Sequence, residues 1–177
     1  SAASDVYKRQ IHSQMARSDQ IERMSRLEAI PSFFITHTYF WGDRHYAIFM
    51  GPERAVRMSP TGDALRCNLP FTLHNDTFVT PIDPLLLVWS AVNRLSYGGR
   101  DLGKAEQGIP VLEALKGITI NAARQGFEEG VKGSIEPGKF ADFVVLDENP
   151  LAVDPMHLKD IEIAATIVGD VLAYGAL

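Results

Sequence analysis

The sequence predicts an α/β fold that becomes β-rich after Gly130. Three observations carry this. Short apolar runs at 29–36 (AIPSFFIT) and 71–73 alternate with helix-patterned stretches, the order a parallel sheet with crossover helices requires. Each run ends in polar groups able to do chemistry, His37-Thr38 after the first and His74-Asn75-Asp76-Thr77 after the second. Beyond a turn-rich hinge at 132–139, the pattern changes to a strand and then a hairpin.

Taken in order, residues 1–10 (SAASDVYKRQ) have no apolar period and resemble translated adapter sequence, so they are set aside as a non-native leader. Residues 11–14 read as the end of a strand. Ser18-Asp19 precedes a helix with Ile21, Met24 and Leu27 on one face, and Asp19 with Glu22 fits a capping box. Residues 39–50 read as a long aromatic-rich connection holding Trp41, Asp43 and His45. Gly51-Pro52 opens a short helix, and 60–66 forms another. After the 71–73 strand, Asp83-Pro84 supplies a capping side chain and a proline at the first helical position. That helix carries Leu85, Val88, Val92 and Leu95 on one side and stops at Gly98-Gly99. A further helix spans 110–118, with one or two more turns before Gly126. Residues 141–146 (ADFVVL) read as a strand, and 161–168 with 171–174 as a hairpin about Gly169-Asp170.

Composition narrows the function. With 177 residues, 46% of them hydrophobic, the chain is long enough to bury a core of its own. A net charge of −5 with no basic run argues against nucleic acid as a partner. No apolar stretch approaches the ~20 residues of a membrane span, so no membrane partner is expected. The single cysteine, Cys67, excludes an intrachain disulfide and a cysteine-built zinc site. The expected compartment is cytoplasmic, with targeting left open because the sequence has no start methionine.

Asp76 is the first candidate for chemistry. A carboxylate at the C-terminal end of a buried parallel strand stands where α/β barrels place their catalytic groups. The same cluster would also serve simply to cap a turn. The motifs then resemble a known family. Residues 133–147 (GSIEPGKFADFVVLD) resemble the strand pair that closes the small β-domain of metal-dependent amidohydrolases. HNDT after a buried strand, with VTPIDPL behind it, looks like the eighth-strand region of the amidohydrolase-3 branch, whose members include enzymes similar to N-substituted formamide deformylases. IHSQ at 11–14 looks like the end of the sixth strand. The resemblance covers 11–174.

The resemblance implies a C-terminal fragment. Residues 11–129 would be the last strands and helices of a (β/α)8 TIM barrel, and 130–177 a piece of a small composite β-sandwich. A whole barrel needs roughly 250 residues. It also implies a divalent metal, zinc first, with His12 and Asp76 as ligands and Asp76 as proton shuttle for a metal-activated water. His37, Trp41 and His74 would lie on the substrate side. Two departures from the family pattern stand out: Ile11 where an acidic residue usually precedes the histidine, and Phe78 where a proline is expected. Asp43 and His45 form a weaker second ligand pair. The expected function is hydrolysis of non-peptide C–N bonds in a small amide or formamide, negligible in the isolated chain, with homo-oligomerisation as a further expectation. The alternatives are a non-catalytic binding module, or a cyclic amidase or deaminase on the same scaffold.

Overall fold

A computed structural model of the chain describes residues 9–176. Of the ten residues set aside as leader, 1–8 lie outside the described residues. Arg9 and Gln10 begin strand β1 (Arg9–His12), where they pair with Ile30 and Pro31 of β2 (Ile30–Phe33). β2 pairs in turn with β3 (Thr72–Leu73), giving a parallel sheet in the order β1-β2-β3. Register aligns His12 with Phe33, and Phe33 with Leu73, so the three strands end side by side. Parallel strands need long connections, and helices supply them.

Helix α1 (Ser18–Arg26) follows β1 and buries Ile21. Its capping differs from the Asp19–Glu22 expectation. The cap is Arg17, whose N–H donates to Gln20 Oε1 at 2.9 Å, while Asp19 pairs with the Arg17 guanidinium. The larger difference follows β2. Where the sequence reads as a connection, α2 (Thr36–Arg44) runs on into a wider helical turn at His45–Phe49. Gly42 permits this, because a Cβ there would collide with Leu102. Aromatic residues lie all round the segment, so it shows no single apolar stripe.

Two short helices, α3 (Pro52–Ala55) and α4 (Thr61–Arg66), lead to β3. Helix α5 (Pro84–Asn93) opens as the sequence predicts, with Pro84 in the first turn and Asp83 Oδ1 accepting the Leu86 N–H at 2.9 Å. It is buried on every side. Arg94 closes it in a left-handed conformation, φ 55°, donating its buried guanidinium to the carbonyls of Met58, Ser59 and Leu102. Helices α6 (Lys104–Gln107), α7 (Val111–Ile118) and α8 (Ile120–Gln125) complete this part; Gln125 Nε2 lies 3.4 Å from the Ile30 carbonyl of β2.

Strands β4 (Phe143–Leu146), β5 (Ile163–Val168) and β6 (Val171–Gly175) form a separate antiparallel sheet, with Gly169-Asp170 turning the β5–β6 hairpin. A 3-10 turn, Pro155–Asp160, ties this part to α5. Trp89 Nε1 donates to the Met156 carbonyl at 2.9 Å, and Asn93 Nδ2 to Pro155 at 2.8 Å. Leu158 and Ile161 join Phe33, Phe71, Leu85 and Trp89 in one core. No described helix is long and apolar enough to cross a membrane.

Candidate metal centre

The site is built where the parallel strands stop. His12 ends β1, Phe34 follows β2, and His74 follows β3, so three rings leave adjacent strands at one edge. His74 lies stacked on Phe34 with centroids 5.6 Å apart and stacked on His12 at 5.3 Å. Its backbone N–H donates to the Phe33 carbonyl at 3.0 Å, which continues the ladder by one residue. Asp76 then turns back through a left-handed conformation, φ 53°, and His12 adopts another at φ 65°. Such conformations cost energy in residues other than glycine, and they recur where a side chain must be aimed. The turn is held by the Val79 N–H on the Asp76 carbonyl at 2.7 Å and by Thr80 Oγ1, which donates to the Asn75 carbonyl.

As a result, His12, His74 and Asp76 each bring one ligand atom to within 4.8 Å of the others. His12 Nε2 stands 3.5 Å from Asp76 Oδ2. Those two side chains are 49% and 37% exposed, and His74 is half-buried. His74 Nδ1 is engaged by Ser32 Oγ at 2.8 Å, while its Nε2 is buried with no partner. Burial, followed by the His12 charge and opposed by Asp76, pushes the His74 imidazole down to about 4. It is therefore a neutral ring with one nitrogen anchored and the other free. That is the form in which histidine ligates a metal, with a hydrogen bond fixing its orientation from behind. Two imidazoles and a carboxylate are a donor set that suits zinc and other first-row divalent ions. The residues present therefore fit a divalent cation.

His37 and Trp41 lie beside this cluster. His37 meets Phe34 edge-on at 5.2 Å, and Trp41 packs on His37 at 4.9 Å. Burial, with His45 and His12 adding and Asp76 opposing, lowers His37 to about 4. Asp43 and His45 do not meet as a pair. Asp43 takes the Arg100 guanidinium at 3.1 Å and the Gly98 N–H at 3.2 Å, while His45 stacks on His37 at 4.5 Å. Sequence reasoning set His74 on the substrate side; the fold groups its ring with His12 and Asp76. It also passed over Ser32, which carries no signal in the sequence beyond its place in a strand.

A profile of the amidohydrolase family matches residues 2–174. The chain belongs to the amidohydrolase family. Among curated relatives, this amidohydrolase chain is 27% identical over 176 residues to the N-substituted formamide deformylase of Arthrobacter pascens, covering 97% of this chain and 31% of that protein. It is 30% identical over 173 residues to YtcJ of Bacillus subtilis, described as an amidohydrolase, covering 94% and 32%. Among solved structures, it superposes on an uncharacterized metal-dependent hydrolase from Pyrococcus horikoshii with a TM-score of 0.71 and 27% identity, over 88% of this chain and 33% of that one. The chain thus spans about a third of the length of the relatives it matches.

Proposed function

We propose that the chain contributes His12, His74 and Asp76 to a metal-dependent hydrolytic site that cleaves a non-peptide C–N bond in an amide or formamide. The observation that carries this reading is the convergence of three ligand atoms within 4.8 Å, with one of the two imidazole rings already anchored behind by Ser32. Kinship with a formamide deformylase and with metal-dependent hydrolases supports it. On this reading the parallel strands belong to a (β/α)8 barrel, the antiparallel strands belong to a composite β-sandwich, and the cation is zinc.

A divalent cation held here supplies Lewis acidity and lowers the pKa of water to about 7. The chain's own residues do the rest. Asp76, with one oxygen 3.5 Å from His12 Nε2, uses its carboxylate as the base. It takes a proton from the attacking water as the new C–O bond forms, then returns that proton to the leaving nitrogen as the C–N bond breaks. The products are a carboxylic acid and an amine. His37 and Trp41 wall the substrate side.

The isolated chain is proposed to bind the cation but to turn over little, because His12 and Asp76 stand half in water and a wet site weakens every electrostatic contribution. Zinc titration against a competing chelator tests the reading. Binding of one equivalent, lost in both Asp76→Asn and His74→Phe, is expected. Binding that survives both substitutions would sink the proposal.

A further inference from the structure

Two side chains outside the ligand cluster converge on one atom of His37. Gln14 Nε2 lies 3.0 Å from His37 Nδ1, and His45 Nε2 lies 2.9 Å from the same nitrogen. The Gln14 nitrogen also lies 3.1 Å from Met58 Sδ. A thioether sulfur accepts hydrogen bonds and cannot donate them. An amide oxygen in that place would set lone pair against lone pair, so the Met58 sulfur identifies the atom as the NH2 group. Its two hydrogens serve the sulfur and the imidazole.

A nitrogen that accepts from an NH2 group carries no proton of its own. His37 Nδ1 is therefore bare. His45 then turns Nε2–H toward the same lone pair, which the two donors share, and this leaves its own Nδ1 as a lone pair buried without a partner. The proton of a neutral His37 has one remaining position, Nε2. No described residue accepts a hydrogen bond from that atom. The Phe34 ring, against which His37 rests edge-on, also touches the rings of His12 and His74.

We propose that Gln14 and His45 are positioning residues that hold His37 as the Nε2–H tautomer, giving the site one fixed donor for the carbonyl oxygen of an amide-type substrate. The substrate half of this statement rests on the hydrolase reading; the tautomer does not. Burial, with its neighbours, pushes the His37 pKa down to about 4, so at neutral pH the ring donates without carrying charge. A preorganised donor aimed at a developing oxyanion is among the larger contributions a site can make. The other tautomer would present a lone pair to the carbonyl oxygen and repel it.

Nitrogen-15 labelling of the five histidines distinguishes the tautomers by the ring-nitrogen shifts, with His37→Gln supplying the assignment. In the metal-free wild-type chain near neutral pH, the proton is expected on His37 Nε2. In Gln14→Glu the new carboxylate accepts, and the proton moves to Nδ1. A wild-type chain protonated at Nδ1, or a folded Gln14→Glu variant with no change, overturns the proposal. The wild-type result depends on no variant folding. Adding N-methylformamide should shift His37 Nε2 and leave His157 unmoved; no shift, or equal shifts, removes the donor role. Because these spectra are recorded without metal, failure to bind zinc would sink the hydrolase reading while leaving the tautomer in place.

Discussion

Ser32→Ala tests the metal centre without touching a ligand. Ser32 lies on the central strand, 5% exposed, and its hydroxyl holds His74 Nδ1 at 2.8 Å. Removing it frees the ring to turn and leaves a buried imidazole nitrogen unpaired. Partners that orient a ligand from behind are worth 10–100-fold in metal affinity, about 1.4–2.7 kcal/mol. The metal-free chain should also lose about 1–3 kcal/mol for the unpaired group. At roughly 2–4 °C per kcal/mol for a chain of this size, Tm should fall by about 2–12 °C. Chelator competition near neutral pH measures the first effect, and thermal melts without metal measure the second. Zinc affinity within about two-fold of the parent, while Asp76→Asn abolishes binding, would refute the argument that Ser32 orients a ligand.

Other expectations concern the scaffold. Asp63 accepts from Ser18, Arg57, Arg66 and Gln107. Burial pushes its carboxyl up, but the hydrogen bonds from Gln107 and Ser18, with the Arg57 charge, outweigh this and hold it below its ordinary value. Its contribution is therefore complete above the unfolded aspartate range near ~4 and is lost as pH falls through the lower folded value. Asp63→Ala should cost about 1–3 kcal/mol at neutral pH and flatten the acid limb of the stability curve, read by denaturant melts at stepped pH. Gly62→Ala drives a Cβ into the Glu106 carbonyl and to 2.8 Å from Gln107 Cα, so Tm should drop while zinc affinity holds. Trp89→Phe should cost about 1 kcal/mol through its lost bond to Met156, seen in the same melts. Phe78 is fully exposed, and Ile82, Ile48 and Phe49 stand largely in water, so light scattering should show self-association; a monodisperse monomer would contradict this.

What the sequence revealed depended on how local the cause was. The start of α5 was readable because Asp83 and Pro84 act on their own turn. The β5–β6 hairpin was readable because Gly169-Asp170 bends only its own strands. Asp76 stood out as a carboxylate at a strand exit. The α2 helix was hidden because the space that accepts Gly42 is shaped by Leu102, far along the chain. The pairing of Arg9 and Gln10 with β2 depends on a strand twenty residues away, so no local pattern announces it. His74 reads as a loop group until parallel register sets it beside His12, and Ser32 matters only once His74 is in place. Long-range register and packing decided these positions, and neither leaves a periodic trace.

The Pro155–Asp160 strap has a consequence for how this polypeptide could be recombined. Its main-chain carbonyls occupy the indole of Trp89 and the amide of Asn93, and Leu158 sits in the same core as the parallel sheet. A crossover placed at the change from α/β to β would look harmless on paper, yet it would strip α5 of its roof. Swapping tails between relatives should succeed only when the incoming piece brings carbonyls that meet Trp89 and Asn93.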